Sequence, residues 1–223
     1  MKVIGALATA DPFLLSPDFS SSLRNIGASS AQVNLDDAHV ADAMRFGPDP
    51  AAPVRAVVSV HLTDDVSPGA LVDLMRGVDP EARAWVTDEV VPLEPPAVDV
   101  GERAAALANV ALLRRPAAMA HEEWLADWLG RHTAVAIATQ ATFGYVQNPV
   151  LECLTATGDD VAGIVEELFA PDAARDPHVF YGSGGDRSEL ERRMGELLES
   201  CARFGAAEGL DLVPTSRYLL DLS

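Results

Sequence analysis

Lysine is almost absent from this sequence, since Lys2 is the only lysine among its 223 residues. Lysine and arginine together number 16 against 34 aspartates and glutamates, which gives a formal net charge of −18 at pH 7. Because no basic cluster is present, we expect neither nucleic acid nor an acidic membrane surface as a partner. We interpret the excess of carboxylates mainly as a solvated surface.

Cysteine and long apolar runs are also scarce. The two cysteines, Cys153 and Cys201, lie far apart without CxxC spacing, so we predict buried free thiols in a reducing compartment. No apolar stretch approaches the roughly 18 residues that a membrane span requires. The apolar run that opens the chain is short and ends at Asp11, which favours a first β-strand over a signal peptide. We therefore predict a cytoplasmic protein.

Several motifs that would indicate a bound group fail here. The segment HEEWL at 121–125 has Leu125 where a zinc-binding HExxH motif needs histidine. The segment GSGG at 182–185 has no adjacent lysine, so it is no phosphate-binding P-loop. The chain contains neither GxSxG nor a GxGxxG that opens a helix. The prediction is therefore no metal and no cofactor.

The apolar periodicity predicts the same order of elements twice, strand-helix-strand-strand-helix-strand. In the first half we predict strands at 3–8, 31–35, 55–62 and 84–93 and helices at 19–26 and 69–77. In the second half we predict strands at 105–113, 142–148, 161–169 and 212–222 and helices at 120–131 and 188–209, with an irregular loop at 170–187. Ser188 with Glu191 fits a capping box at the start of the last helix.

This order predicts an α+β fold made of two ferredoxin-like halves. We assign residues 1–94 to the first half, 95–103 to a Pro- and Gly-containing linker, and 104–223 to the second half. A single four-stranded sheet with helices on one face leaves its other face apolar. The two antiparallel sheets are therefore expected to pack face to face as an α/β-barrel pseudo-dimer.

Residues 112–151 bring aromatic, polar and titratable groups together more densely than the rest of the chain. Trp124, Trp128 and His132 share one face of the predicted helix. Tyr145 and Gln147 lie on one face of the next strand, and Asn148 lies on the other. The first candidate site is therefore the region between this helix and this strand.

This stretch resembles the EthD domain family of the dimeric α/β-barrel superfamily. The matching residues are Arg114, Arg115, Pro116, Glu122, Glu123, Trp124, Trp128, His132 and the run Gly144-Tyr145-Val146-Gln147-Asn148. The resemblance covers about residues 105–220 and is specific at WLGRH and GYVQN. It implies a small, mostly apolar ligand in a half-barrel cavity. Relatives in the wider superfamily include lactone isomerases, polyketide cyclases, decarboxylases and cofactor-free monooxygenases.

The sequence departs from the family pattern in two residues and in its length. Ala120 stands where a capping Ser or Thr is usual, and Pro149 follows GYVQN where a polar donor is common. Family members usually pair two chains to form the barrel, whereas this chain is expected to carry both halves. A homodimer of the pseudo-dimeric chain is a further expectation.

His132 and Tyr145 are the predicted catalytic residues. An imidazole transfers protons near neutral pH, and a tyrosine hydroxyl can donate to an enolate or phenolate oxygen. Gln147 and Asn148 are predicted to hold a substrate carbonyl. The alternatives are a histidine that stabilises a helix C-terminus, a core tyrosine, and an Asn-Pro turn at 148–149.

Six further residues complete the predicted substrate site. Trp124 and Trp128 are predicted to form an aromatic wall, although tryptophans at helical spacing are more often core. His178 and Tyr181 are predicted to lie in a lid, with Arg187 as a carboxylate ligand; an ordinary ordered loop is the alternative. His61, at the end of a strand, points inward if its sheet faces the cavity.

The leading hypothesis is a cofactor-independent enzyme of lyase, isomerase or cyclase type. It would use acid/base chemistry on a small apolar carbonyl compound, aromatic or polyketide-like. One alternative is a cofactor-free monooxygenase. Others are a non-catalytic binder of an apolar molecule or haem, and a structural protein.

Overall fold

The computed structural model describes residues 1–47, 53–63, 65–157, 160–207 and 209–223. The strands are β1 Lys2–Leu7, β2 Ala28–Leu35, β3 Ala56–Leu62, β4 Arg83–Thr87, β5 Val90–Leu93, β6 Leu107–Arg114, β7 Gly144–Cys153, β8 Val161–Phe169 and β9 Asp211–Leu219. The α-helices are α1 Pro17–Asn25, α2 Pro68–Arg76, α3 His121–Leu125, α4 Thr133–Thr139, α5 Pro177–Phe180 and α6 Arg187–Arg203. A π-helical segment, Ala126–His132, joins α3 to α4, and short 3₁₀ turns lie at Pro12–Leu15, Ala38–Val40 and Pro171–Ala174.

Each half has the antiparallel strand order of a ferredoxin-like sheet. The first half is arranged β4-β1-β3-β2, and the second half is arranged β9-β6-β8-β7. The strands form because β-branched and aliphatic residues alternate at a period of two, as in β3 with its sequence AVVSVHL. The helices cover one face of each sheet, so the other faces are free to meet.

Two seams close the eight strands into a barrel. At one seam β2 pairs with β9, with Gln32 opposite Leu219 and Leu35 opposite Ser216. At the other seam β4 pairs with β7, with Trp85 opposite Cys153. The predicted α+β pseudo-dimeric barrel is therefore confirmed, and both halves come from one chain.

The barrel interior is apolar at one end. Its core combines side chains of both halves: Ile4, Ala6, Val54, Val57 and Trp85 with Val110, Leu112, Val161, Ile164 and Val213. Two separate cores lie outside the barrel, where α1 and α2 cover the first sheet and α3, α4 and α6 cover the second. Face-to-face packing of the two sheets thus fills the lumen at this end.

Several helix boundaries differ from those predicted. The predicted helix at 120–131 continues through the π-helical segment to Thr139. The cap of α6 is Asp186, whose carboxylate accepts hydrogen bonds from the backbone of Ser188 and Glu189, and not the predicted Ser188–Glu191 capping box. The helix ends at Arg203, six residues before the predicted end at Gly209, because Gly205 turns the chain with φ +84°.

The strands differ in two places. The predicted strand at 84–93 is split, and its second part, β5, leaves the first half to pair with β7. β7 continues through Pro149 to Cys153, so Asn148 and Pro149 form no turn; Pro149 lies opposite Gly163 of β8. Within the described residues, no helix is long and apolar enough to cross a membrane.

Candidate functional site

The barrel interior is polar at the end opposite to the apolar core. Strand alternation turns Gln32 and Asn34 of β2 into the lumen, and Ser59 of β3 lies beside them. Arg217 of β9, which pairs with Asn34, faces the same space. Polar side chains of both halves therefore meet at one end of the lumen.

These side chains surround a cavity of about 220 Å³, which we call the lumen cavity. Its charged lining residues are Lys2, Glu89, Glu94, Glu166 and Arg217, with His61 at its edge. Its apolar lining residues include Val91, Val146, Leu168 and Leu219. The lining suits a compound that has both an apolar part and a polar or ionisable oxygen.

A network of hydrogen bonds holds the charged groups in place. The Lys2 ammonium contacts Oε1 of Glu89 at 2.5 Å and Oε1 of Glu166 at 3.4 Å. Gln32 donates its amide to Glu166 and accepts from Nε of Arg217 at 2.6 Å. Because each of these groups is bonded to the next, the cations and carboxylates are preorganised before any ligand binds.

Some polar atoms in this region have no hydrogen-bond partner among the described residues. They are Nη1 of Arg217, Oγ of Ser59 and Oδ1 of Asn148. Burial lowers the pKa of Arg217 from its ordinary value, although an arginine remains a cation. Buried polar atoms are nearly always paired in native proteins. Arg217 and Ser59 line the lumen cavity and can therefore donate to a ligand oxygen there.

His61 and Glu89 form a pair at the edge of the lumen cavity. Nε2 of His61 lies 3.5 Å from Oε2 of Glu89, and Nδ1 lies 3.1 Å from Oγ of Ser30. The hydrogen bond to His61, assisted by Lys2, lowers the pKa of Glu89 to about 2. Glu89 is thus a carboxylate at neutral pH, which favours the proton on Nε2 and leaves Nδ1 as an acceptor.

The predicted catalytic residue His132 lies outside the barrel, between the π-helical segment and α6. Its Nδ1 contacts Oγ of Ser200 at 2.9 Å, and its ring packs on Phe204 with 4.6 Å between centroids. Burial lowers its pKa to about 4, so the ring is neutral at pH 7. The structure separates His132 from the lumen cavity, because the helices cover the outer face of the sheet.

Tyr145 and Gln147 share a strand face, and this face is turned toward the helices. Tyr145 is 1% exposed, and Oε1 of Gln147 accepts a hydrogen bond from Thr133 at 3.1 Å. Asn148, on the opposite face, donates to Oε1 of Glu166 at 3.4 Å. Strand alternation thus divides the predicted substrate residues between two sides of the sheet.

Trp124 and Trp128 pack directly on β8. A side chain at Gly163 would place its Cβ 2.5 Å from Trp128 and 3.0 Å from Trp124, so the two indoles occupy the space above this glycine. The indole N–H of Trp124 donates to the carbonyl of Phe204 at 3.0 Å. Both tryptophans are fully buried, and the arrangement is that of a packed core.

The remaining predicted residues do not converge on the lumen cavity. His178 lies in α5, where Nδ1 contacts Oγ of Ser183 at 2.6 Å. Arg187 is 88% exposed and pairs with Glu191 on the same helix at 2.8 Å. Tyr181 is half-buried, and its pKa is raised by burial and by the charges of Cys201 and Glu167. His61 is the one predicted residue of this group that lines the cavity.

Sequence reasoning missed most of the lumen residues. The signal was present, because Ser30, Gln32 and Asn34 place polar side chains at every second position of β2. Sequence reasoning also missed Glu167, which lies near Tyr145 and Cys201. Burial raises the pKa of this carboxyl group to about 7. In each sheet one face is covered by helices and the other lines the lumen. Side chains alternate between the two faces in the same way, so the alternation does not show which face lines the lumen.

No protein-family model and no curated protein matches the chain. A solved structure described as an anthrone oxidase-like protein has a similar fold, with a TM-score of 0.53 and 11% identity over 99% of this chain and 91% of that chain. A second structure, of a protein provisionally named a monooxygenase from Lactobacillus acidophilus NCFM, gives a TM-score of 0.48 and 12% identity over 100% and 96%. The first likeness supports the dimeric α/β-barrel fold class; the EthD relationship stays a prediction.

Proposed function

We propose that this chain is a cofactor-independent enzyme that transfers a proton on a small carbonyl or phenolic compound bound in the lumen cavity. The observation that carries the proposal is a pair of buried, unpaired donors, Nη1 of Arg217 and the hydroxyl of Ser59, on two residues that line this cavity. A guanidinium and a hydroxyl are suitable donors for an oxygen that becomes negative during proton abstraction. Both residues stand on barrel strands, which fix their backbone positions, and a small rotation of each side chain would bring its donor to the ligand.

His61 is the proposed proton acceptor. Glu89 accepts the Nε2 proton and stabilises the imidazolium that forms, while Nδ1 takes a proton from the substrate. The hydroxyl of Ser30 lies 3.1 Å from Nδ1, and the acidic proton of a substrate would take its place. The negative oxygen of the product enolate or phenolate would then be held by Arg217.

The lining of the cavity defines the substrate class. Val146, Leu168 and Leu219 accommodate an apolar or aromatic body, and the cations hold an ionisable oxygen. Lyase, isomerase and cyclase reactions all pass through such an enolate, and the EthD resemblance favours this chemistry. The same carbanion reacts with dioxygen in a cofactor-free monooxygenase, a variant compatible with the name of the anthrone oxidase-like neighbour.

The test begins with a thermal-shift screen of aromatic ketones, lactones, quinols, polyketide-like acids and haem. A ligand at about 100 times its dissociation constant adds roughly 2.7 kcal/mol to the free energy of unfolding, which raises the melting temperature measurably. Each hit is then assayed for conversion and for oxygen uptake. If haem is the only compound that raises the melting temperature, and its complex shows a Soret band, the chain is a haem binder and the proposal is contradicted.

Variants at the two histidines decide where the chemistry occurs. We expect His61→Ala to lower kcat by about 10²–10⁴-fold, the range of general acid/base catalysis. His39→Ala, at an exposed histidine of a 3₁₀ turn, is the matched control. A catalytic role of His132 predicts instead that His132→Ala abolishes turnover; that result, with full activity in His61→Ala, would move the site to the helix side of the sheet.

A further inference from the structure

Ser30, His61 and Glu89 lie in contact, one after the other, at the edge of the lumen cavity. Oγ of Ser30 lies 3.1 Å from Nδ1 of His61, and Nε2 of the same ring lies 3.5 Å from Oε2 of Glu89. A hydroxyl, an imidazole and a carboxylate in this order are the components of a serine nucleophile with its base and orienting acid. We propose that this triad gives the same site a second activity, in which the His61–Glu89 pair activates Ser30 and small carboxylic esters are hydrolysed.

The fold gives each member of the triad a fixed position. Ser30 lies opposite His61 on neighbouring strands, at a register shift of β2 that falls between Ala28 and Ser30. Such bulges turn a side chain away from its regular direction and are common beside active sites. Glu89 lies in the two-residue connection between β4 and β5. The nucleophile and the base therefore stand on strands, which hold catalytic geometry better than long loops.

The surroundings of the triad suit acyl transfer. Ser30 is exposed and can be reached by an ester from solvent, whereas the lumen cavity behind it can receive the acyl or alcohol part. The Lys2 ammonium, bonded to Oε1 of Glu89 at 2.5 Å, places a positive charge beside the triad. This charge holds in place the carboxylate that orients His61.

The reaction balances without an added oxidant or cofactor. The Ser30 oxygen bonds to the ester carbonyl carbon while its proton passes to Nδ1 of His61. The carbon–oxygen bond to the alcohol then breaks, and the imidazolium returns the proton to the leaving alcohol. Water, deprotonated by the same imidazole, cleaves the acyl-serine to the acid and restores the hydroxyl.

The test is covalent labelling of the full chain with an alkyl fluorophosphonate, read by intact mass and peptide mapping. We expect a single adduct on Ser30 and hydrolysis of p-nitrophenyl acetate with an initial burst. Both should fall to background, by roughly 10³-fold or more, in Ser30→Ala and His61→Ala. Glu89→Gln, which keeps the nucleophile, should slow the labelling without abolishing it.

Ser29→Ala is the matched control, because Ser29 is also exposed but donates to the backbone carbonyl of His61 at 3.1 Å. This variant should label and hydrolyse like the wild type. Labelling that survives in Ser30→Ala, or a folded wild type that takes no label, overturns the proposal. The label reports on Ser30 even if no carbonyl compound is converted, so this result is independent of the proposed proton transfer.

Discussion

At the scale of single residues, two neighbouring glutamates have opposite environments. Glu166 faces the lumen, where Lys2 and Asn148 contact its carboxylate. Glu167 faces the helices and has no charged partner among the described residues, so burial alone raises its pKa to about 7. Gln140, with its amide nitrogen turned toward Glu167, donates to Oε1 at 3.1 Å. One step along a strand therefore exchanges an ion pair for a carboxyl group that binds a proton near neutral pH.

The raised pKa of Glu167 predicts a pH-dependent stability. Below the ordinary pKa of 4.5 the group is protonated in both folded and unfolded chains, and its cost is absent. As the pH rises from 4.5 to 7, the unfolded chain gives up this proton while the folded chain keeps it, so stability falls, by about 3 kcal/mol in total for a shift of this size, and the loss levels off above pH 7. Glu167→Gln should remove this loss, so that the variant gains stability over the wild type between pH 4 and pH 8.

Urea unfolding at both pH values measures this difference. Glu152→Gln, at an exposed position of β7, serves as the control and should not change the pH profile. If Glu167→Gln and the wild type lose stability equally as the pH rises, Glu167 is not buried as a carboxyl group in solution.

The sequence predicted which residues share a strand face better than it predicted what that face meets. Tyr145 and Gln147 do lie on one face, with Asn148 on the other, because the side-chain period of a strand is two. On the helix-facing side of β7, Tyr145 packs with the aromatic residues of the helices, whereas Asn148 and Val146 lie on the lumen side. The alternation does not show which face of a strand is covered by helices and which lines the barrel lumen. The prediction of His132 and Tyr145 as catalytic residues depended on this choice.

At the scale of elements, the starts of α1 and α2 have a clear signal in the sequence, because Ser16–Pro17 and Ser67–Pro68 each combine a capping side chain with a proline in the first turn. The π-helical segment at Ala126–His132 was not predictable from periodicity. The helix packs on β8 at this point, where Trp124 and Trp128 lie against the missing side chain of Gly163. This contact depends on tertiary packing, which a single sequence does not display.

The close approach of this helix to β8 makes Gly163 and Gly195 an informative pair. Gly163→Ala would bring a methyl group within 2.5 Å of a fixed indole, so we expect a loss of about 1–3 kcal/mol from overpacking. Gly195→Ala, on α6 with nothing within 4 Å, should add about 0.5–1 kcal/mol because alanine favours the helix. Chemical denaturation of both variants tests the packing; equal effects of the two substitutions would contradict it.

At the scale of the whole molecule, one chain supplies both halves of the barrel. The connection between the halves is not free along its length, because Gly101 and Ala104 donate to the carbonyls of Leu219 and Arg217, each at 2.8 Å. The barrel was predictable from the doubled order of elements. Its seams were not, since the strand predicted at 84–93 divides in two, and its first part, β4, pairs with β7 at a seam while β5 pairs with β7 as well.

The closed barrel predicts that the two halves stay together after the connection is cut. A protease site inserted between the exposed residues Pro96 and Ala97 allows cleavage of the folded protein. The fragments should co-elute in size-exclusion chromatography, because the β2–β9 and β4–β7 ladders and an apolar core with Ile4 and Ile164 from opposite halves join them. Separation would expose this core to water, which costs about 25 cal/mol of free energy for each Å² of apolar surface. Fragments that separate without denaturant would show that the seams contribute little, and the lumen cavity, which needs both sheets, would then be lost with them.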